Sequence, residues 1–245
     1  MGLLGAPRNY WREMLQKLFW WNFGCSFAQV VLVVAAARPV HDFLKDQGWL
    51  TPVHLSVSVF GFAAGLAYVV AALAIASFLR WSRLHDTVSN WFHLREGFDI
   101  RHIITPLAGG VGFALRLDDL EGLRKNKDFR DKVLGHIFYA YVSGSAPRID
   151  LTRLEKVFDR WLWFWLLIEQ TVVGVVAWAV LIVCWSPWAG VYGIALFLAV
   201  LLALGVLYGM PQNTYAEVRE ILEKPEWRDE VLGNLNGDFG RSAVH

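Results

Sequence analysis

Four long apolar runs separate the chain into segments suited to a bilayer and segments suited to water. The runs cover residues 19–37, 55–79, 161–185 and 188–210. A helix that crosses a bilayer needs about 20 apolar residues, at a rise of about 1.5 Å each. All four runs reach this length, the first only just. We therefore predict an all-α polytopic membrane protein with four transmembrane helices, helical cytoplasmic extensions and a helical C-terminal tail.

The polar stretches between the runs also show helical periodicity. Apolar side chains recur at helical spacing in residues 9–18, which predicts an interfacial helix before the first span. The same spacing continues past Arg80 to about His93, either as an extension of the second span or as a short helix joined to it by a kink. The predicted organisation is an interfacial helix and a transmembrane pair (1–79), a cytoplasmic helical loop (80–160), a second transmembrane pair (161–210) and a cytoplasmic helical tail (211–245).

The first apolar run also has features of a signal peptide, with a basic start and a small-residue site at residues 35–37. The apolar core of a signal peptide usually has about 7–15 residues. The run here is longer, which favours a span.

Lysine and arginine are concentrated in the long loop, the N-terminal segment and the tail, and are sparse in the two short connections. Cytoplasmic segments carry this excess, so we expect both termini and the long loop in the cytoplasm, beneath a plasma or inner membrane. The net charge of +1 gives no reason to expect nucleic acid as a partner. The expected partners are membrane lipid and either further copies of this chain or other membrane subunits.

Glu169 is the only acidic or basic residue in the third run. A carboxylate at membrane depth costs several kcal/mol, about 2.5–3.5 on insertion scales, and usually faces a bundle interior or a water-filled path. Polar residues of the first run share one helix face by their spacing, and Tyr68 and Gln29 fall at a similar depth. The predicted ion pathway or polar bundle consists of Glu169, Gln29, Tyr68, Gln170, Asn22 and Ser26.

Two interpretations of Glu169 stay open at this level. In the first, it lines a cation or proton path. In the second, it stays protonated and hydrogen-bonds Gln29, Tyr68 or a partner chain. Ser58, Gly61 and Gly65 form a separate stripe of small residues, which favours close helix packing without chemistry.

Other chemistry receives little support from the sequence. Two cysteines are too few for a thiolate metal cluster, and no paired histidines within the runs suggest haem. No nucleophile, base and metal set indicates an enzyme. We expect no metal, no cofactor and no catalytic residue. Residues 128–135 and 226–233 share Arg, Asp, Val, Leu and Gly at matching positions, either as a distant repeat or by coincidence between two amphipathic helices.

These features predict an oligomeric, channel-like or ion- or proton-translocating subunit with a polar site in the membrane. Four spans are few for an alternating-access carrier, which favours a path between protomers of a homo-oligomer. The alternative is a non-catalytic scaffold or accessory subunit of a larger membrane complex.

Overall fold

The computed structural model describes residues 10–47, 66–142 and 147–240, and every regular element in these ranges is a helix. Two of the elements, π1 and π2, are π-helices, and the others are α-helices. In chain order they are α1 (Tyr10–Ala36), α2 (Arg38–Asp46), α3 (Leu66–Ser82), α4 (Leu84–Trp91), α5 (Leu94–Phe98), π1 (Asp99–Ile104), α6 (Thr105–Gly110), α7 (Leu117–Lys125), α8 (Lys127–Leu134), π2 (Gly135–Tyr139), α9 (Ala140–Val142), α10 (Leu151–Val183), α11 (Ala189–Glu223) and α12 (Pro225–Asp238).

Three helices in the described ranges, α1, α10 and α11, are long and apolar enough to cross a membrane. The all-helical class is thereby confirmed, with three candidate membrane spans in the described ranges, whereas the count of four spans and the orientation stay predictions. The second apolar run is described only from Leu66 onward, and the small-residue stripe of Ser58, Gly61 and Gly65 lies outside the described residues. The pair α3 and α4 has the length and composition of one further span only when the two helices are taken together.

The extension of this second run is helical but bent. Helices α3 and α4 meet at an angle of 50°. Arg83 lies at the break and has a left-handed backbone with φ of 46°. This conformation is uncommon for a residue with a side chain, so the surrounding structure has to hold it. The kinked form of the predicted extension is therefore the observed one.

Helices α10 and α11 are joined by a tight turn. Trp185 adopts a left-handed φ of 52° within it. The indole Nε1 of Trp178 donates to the carbonyl of Ala189 at 2.9 Å. Ser186 Oγ donates to the carbonyl of Ala36 at the end of α1, at 2.8 Å. These side-chain bonds satisfy backbone carbonyls at helix ends.

Helix α11 continues well beyond the apolar run that predicts its membrane part. It includes Pro211 and ends only at Glu223, so the first half of the predicted tail belongs to this same helix. The second half is α12, which starts at Pro225, a residue suited to the first turn of a helix.

The chain forms two compact units. The membrane unit comprises Leu15–Thr87 and Leu162–Val206. The polar unit comprises Met1–Met14, Val88–Trp161 and Leu207–His245. Helices α10 and α11 contribute to both units, because each combines an apolar part with a polar extension.

The polar unit is built around buried side chains of its short helices, with the tail helix α12 packed against them. Asp238 near the end of α12 pairs with Lys132 at 3.1 Å and with His136 at 2.9 Å. The two similar sequence segments fall in α8 and α12, and their matching valines, Val133 and Val231, are fully buried. Both segments thus contribute to the core of this one unit.

Candidate functional site

The polar face of α1 follows from its spacing. Asn22, Ser26 and Gln29 lie three and four residues apart, which places them on one side of the helix. Asn22 and Ser26 are buried within the membrane unit, and Gln29 is partly buried. Buried polar side chains need hydrogen-bond partners, so this face has to meet other polar groups.

The first of these groups is Glu169 on α10, which is only 1% exposed. Its Oε2 accepts a short hydrogen bond from the side-chain amide of Asn22. Its Oε1 lies 2.7 Å from Nδ1 of His85. His85 belongs to α4, so the bend at Arg83 is what carries an imidazole to this carboxylate.

The His85 ring is held from a second side. It stacks on the indole of Trp165, with ring centroids 4.3 Å apart and ring planes 24° from parallel. Trp165 precedes Glu169 by one helical turn, so α10 provides both the stacking surface and the carboxylate. His85 is itself buried, and this double contact fixes its orientation.

The hydrogen bonds continue beyond Glu169 through side-chain amides. Gln170 Nε2 donates to Oδ1 of Asn22 at 2.7 Å and to Oγ of Ser26 at 3.3 Å. Gln29 Nε2 donates to Oε1 of Gln170 at 2.9 Å. The hydroxyl of Tyr192 on α11 donates to Oε1 of Gln29 at 3.0 Å.

At the opposite end, Asp86 follows His85 on α4. Its Oδ1 lies 3.8 Å from Nε2 of His85. We call the connected set the polar chain, and all of it lies within the membrane unit. Its members are Asp86, His85, Glu169, Asn22, Ser26, Gln170, Gln29 and Tyr192.

The contact at the centre of the polar chain joins a carboxylate oxygen to an imidazole nitrogen. Because Oε2 of Glu169 accepts from Asn22, the contact between its Oε1 and His85 Nδ1 needs one proton between them. Either the imidazole N–H donates to a carboxylate, or a carboxylic acid donates to a neutral imidazole. The first arrangement is a buried ion pair only when the other ring nitrogen, Nε2, also carries a proton; from that state, transfer of the Nδ1 proton over 2.7 Å gives a neutral pair.

A cavity of about 470 Å³ adjoins the polar chain at Gln29. Apart from Gln29, its lining consists of Val, Ala, Ile, Leu and Phe side chains of α1, α3, α4 and α10. Such a lining does not replace the hydration shell of an inorganic ion. Among the described residues, no group of three His, Cys, Asp or Glu side chains is placed to hold a metal ion.

Five of the six predicted polar residues lie together in the polar chain: Glu169, Gln29, Gln170, Asn22 and Ser26. Tyr68, the sixth, is partly buried in α3 and bonds to none of the other described residues. The role of these residues as an ion pathway stays a prediction.

Sequence reasoning missed His85 and Tyr192. The second apolar run ends before His85, so the sequence predicts that His85 lies outside the spans. The bend that brings His85 back to α10 has no obvious sequence signal. Tyr192 lies near the start of the fourth apolar run, where an aromatic residue usually indicates the membrane interface. Its hydroxyl instead completes the bonds of Gln29.

Comparison with known proteins gives one match. The model of the YmfE protein family matches residues 9–229, a segment that contains every member of the polar chain. No curated protein and no solved structure shows significant similarity to the chain.

Proposed function

The chain belongs to the YmfE protein family, and we propose that it is a proton-translocating membrane subunit in which Glu169 and His85 form the proton-binding pair. The observation that carries this proposal is the 2.7 Å contact between the buried carboxylate of Glu169, in the apolar run of α10, and the buried imidazole of His85 on α4. Ionisable groups inside a membrane are expensive and commonly mark ion or proton paths.

Exposure of the side chains gives the pair a route for protons. The side chain of Asp86 is 36% exposed, that of His85 8% and that of Glu169 1%. In this proposal a proton enters at Asp86, crosses the 3.8 Å gap to Nε2 of His85 through a bridging water, and reaches Glu169 over the 2.7 Å contact. Imidazole is suited to the middle position because one ring nitrogen can accept a proton while the other donates one.

The remaining members of the polar chain have a different role. Asn22, Gln170 and Gln29 are amides, which neither gain nor lose protons near neutral pH. They hold Glu169 in place and extend polarity towards Tyr192. Together with the apolar cavity at Gln29, this arrangement favours a proton over a hydrated metal ion as the transported species.

We further propose four spans, with the bent pair of α3 and α4 acting as the second, and both termini in the cytoplasm of a plasma or inner membrane. The distribution of lysine and arginine supports this orientation. A homo-oligomer would complete the path beyond Tyr192, since a single set of four spans offers little room for an enclosed channel.

The test is proton flux into vesicles that contain the purified protein, with an internal pH-sensitive dye and an imposed potassium diffusion potential. We expect wild type to acidify the vesicles and Glu169→Gln to abolish the flux. His85→Gln should slow it strongly, because protons then have to reach Glu169 without the imidazole.

Thr171→Val is the matched control. Thr171 lies on the same helix, and its buried hydroxyl has no hydrogen-bond partner among the described residues. Valine has nearly the same shape, so flux should equal that of wild type. Absence of flux in wild type, or equal flux in Glu169→Gln, would contradict the proposal.

One observation favours the alternative, an accessory subunit without transport activity. Every polar side chain of the polar chain has a partner, and fully satisfied buried networks also serve to fix a single packing arrangement. In that case wild type would show no flux, and Glu169→Gln would lose a membrane subunit that co-purifies with wild type.

A further inference from the structure

The polar unit contains a second buried charge cluster, separate from the polar chain. Asp99 and Arg130 are each only 3% exposed. The Oδ2 of Asp99 lies 3.8 Å from Nε of Arg130 and 3.8 Å from Nε of Arg95. These distances give attraction between charges but are too long for hydrogen bonds.

Several polar atoms of this cluster lack hydrogen-bond partners. Among the described residues, Oδ2 of Asp99, Nε of Arg130 and Oδ1 of Asp131 are buried without a partner. An unpaired buried polar group costs about 1–3 kcal/mol, and more when it is charged. The unpaired oxygen of a charged Asp99 therefore costs more free energy than that of a protonated Asp99.

The two π-helices meet at this cluster. Asp99 is the first residue of π1, and Tyr139 is the last residue of π2. Arg95 links them, because it pairs with Asp99 and hydrogen-bonds the hydroxyl of Tyr139. π-Helices make up well under 1% of residues in proteins and often occur at functional sites. Two such segments beside one buried carboxyl are an unusual concentration of a rare backbone conformation.

We propose that Asp99 is a proton-binding site that controls the local stability of π1. The helix π1 stays closed when the carboxyl is neutral and loosens when the carboxyl is charged. Burial, opposed by Arg95 and Arg130, raises the pKa of Asp99 from 3.8 to about 7. The site therefore changes charge at the pH of a bacterial or eukaryotic cytosol. This inference does not depend on proton translocation by the membrane unit.

Among the described residues, the charged side chains that act on Asp99 are Arg95, Arg130 and Asp131. Helix α5 contributes Arg95, and α6 carries no titratable residue. Helix α7 presents the carbonyl of Leu123, which accepts from Arg130 at 3.1 Å. Helix α8 contributes Arg130 and Asp131, and Asp131 raises the pKa of Asp99 further. The hydroxyl of Tyr139 in π2 stays protonated, since burial raises its pKa to about 12.

Contacts of π1 and the residue before it connect the cluster to the polar extensions of the membrane helices. Phe98 packs edge-to-face on Trp161 of α10, with centroids 5.4 Å apart. His102 Nδ1 lies 2.7 Å from the hydroxyl of Tyr215 on α11. Burial and the neighbouring Arg101 lower the pKa of His102 from its ordinary value. Loosening of π1 would release α10 and α11 from these two contacts.

The experiment is hydrogen exchange on the full-length protein in detergent, from about pH 5.5 to about pH 8.5, with rates corrected for intrinsic exchange. When π1 opens, the Asp99 carboxyl returns to its ordinary pKa. The opening constant of residues 95–104 should then rise up to about tenfold per pH unit and level off near pH 7. Asp99→Asn should give a flat profile.

Three further variants separate Asp99 from its neighbours. Asp131→Asn should keep the transition in the opening constant but move the pH at which it levels off to a lower value. This variant still tests the proposal if Asp99→Asn fails to fold. Asp118→Asn, at an exposed site on α7, should match wild type. Glu217 is another buried acid of the polar unit, so Glu217→Gln has to leave the transition of residues 95–104 in place. A flat wild-type profile, persistence of the transition in Asp99→Asn, or its loss in Glu217→Gln would overturn the proposal.

Discussion

A double-mutant cycle on His85 and Glu169 measures directly whether the two side chains act as one unit. The variants are His85→Gln, Glu169→Gln and the combination. Each single change replaces the 2.7 Å carboxylate–imidazole contact with one that involves an amide, which neither takes up nor releases a proton. In the double variant, two amides face each other and neither buried charge remains.

The expected size follows from the contacts. A buried hydrogen bond that involves a charged group contributes about 1.5–3 kcal/mol, and an orphaned partner costs about 1–3 kcal/mol. Interhelical polar contacts in membranes give smaller coupling energies, about 0.6 kcal/mol on average and about 1.7 at most. Glu169→Gln also removes the carboxylate that accepts a hydrogen bond from Asn22. We therefore expect each single change to cost about 2–4 kcal/mol and the coupling energy to be about 1–2 kcal/mol.

The assay is reversible unfolding in mixed micelles with increasing SDS, followed by circular dichroism. Thr171→Val again serves as the control and should change the unfolding free energy by less than about 0.5 kcal/mol. Effects of His85→Gln and Glu169→Gln that add within about 0.5 kcal/mol would show that the residues are independent. The shared-proton description of the site would then be wrong.

Three further predictions concern the polar unit. Asn126→Ala removes the side-chain oxygen that caps α8 and should cost about 1 kcal/mol in thermal unfolding. Gly110→Ala places a methyl group against the side chain of Leu222 and should destabilise the protein by about 1–3 kcal/mol, whereas Gly109→Ala meets open space and should leave stability unchanged. Because burial raises the folded-state pKa of Asp99, folded protein holds this proton more tightly than unfolded protein. Stability should therefore fall as pH rises from about 4 to about 7, by at most about 4 kcal/mol from this group. Asp99→Asn should remove this part of the slope and leave the part that comes from Glu217, another buried acid of the polar unit.

The sequence alone predicts the features that depend on the geometry of a single helix. Spacing alone placed Asn22, Ser26 and Gln29 on one face, and isolation in an apolar run indicated that Glu169 would be buried. Both inferences depend on helix geometry and on the cost of charge in hydrocarbon, which are local properties.

Contacts that depend on backbone irregularities could not be found in this way. The left-handed φ of Arg83 is imposed by tertiary packing, and without it His85 would not reach Glu169. The π-helices around Asp99 likewise have no simple periodicity, because their wider turns arise from packing. Pro211 indicates a helix end by local rules, yet α11 runs through it.

The turn between α10 and α11 bears on how the protein is made. Its residues, Cys184 to Trp188, carry no formal charge, so little hydration has to be lost when they cross the hydrocarbon. The indole of Trp178 bonds to Ala189, the first residue of α11. This contact can form as soon as the start of α11 has left the ribosome. We expect the translocon to release the two segments laterally as a preassembled hairpin, and biogenesis to stall when a lysine is engineered into this turn.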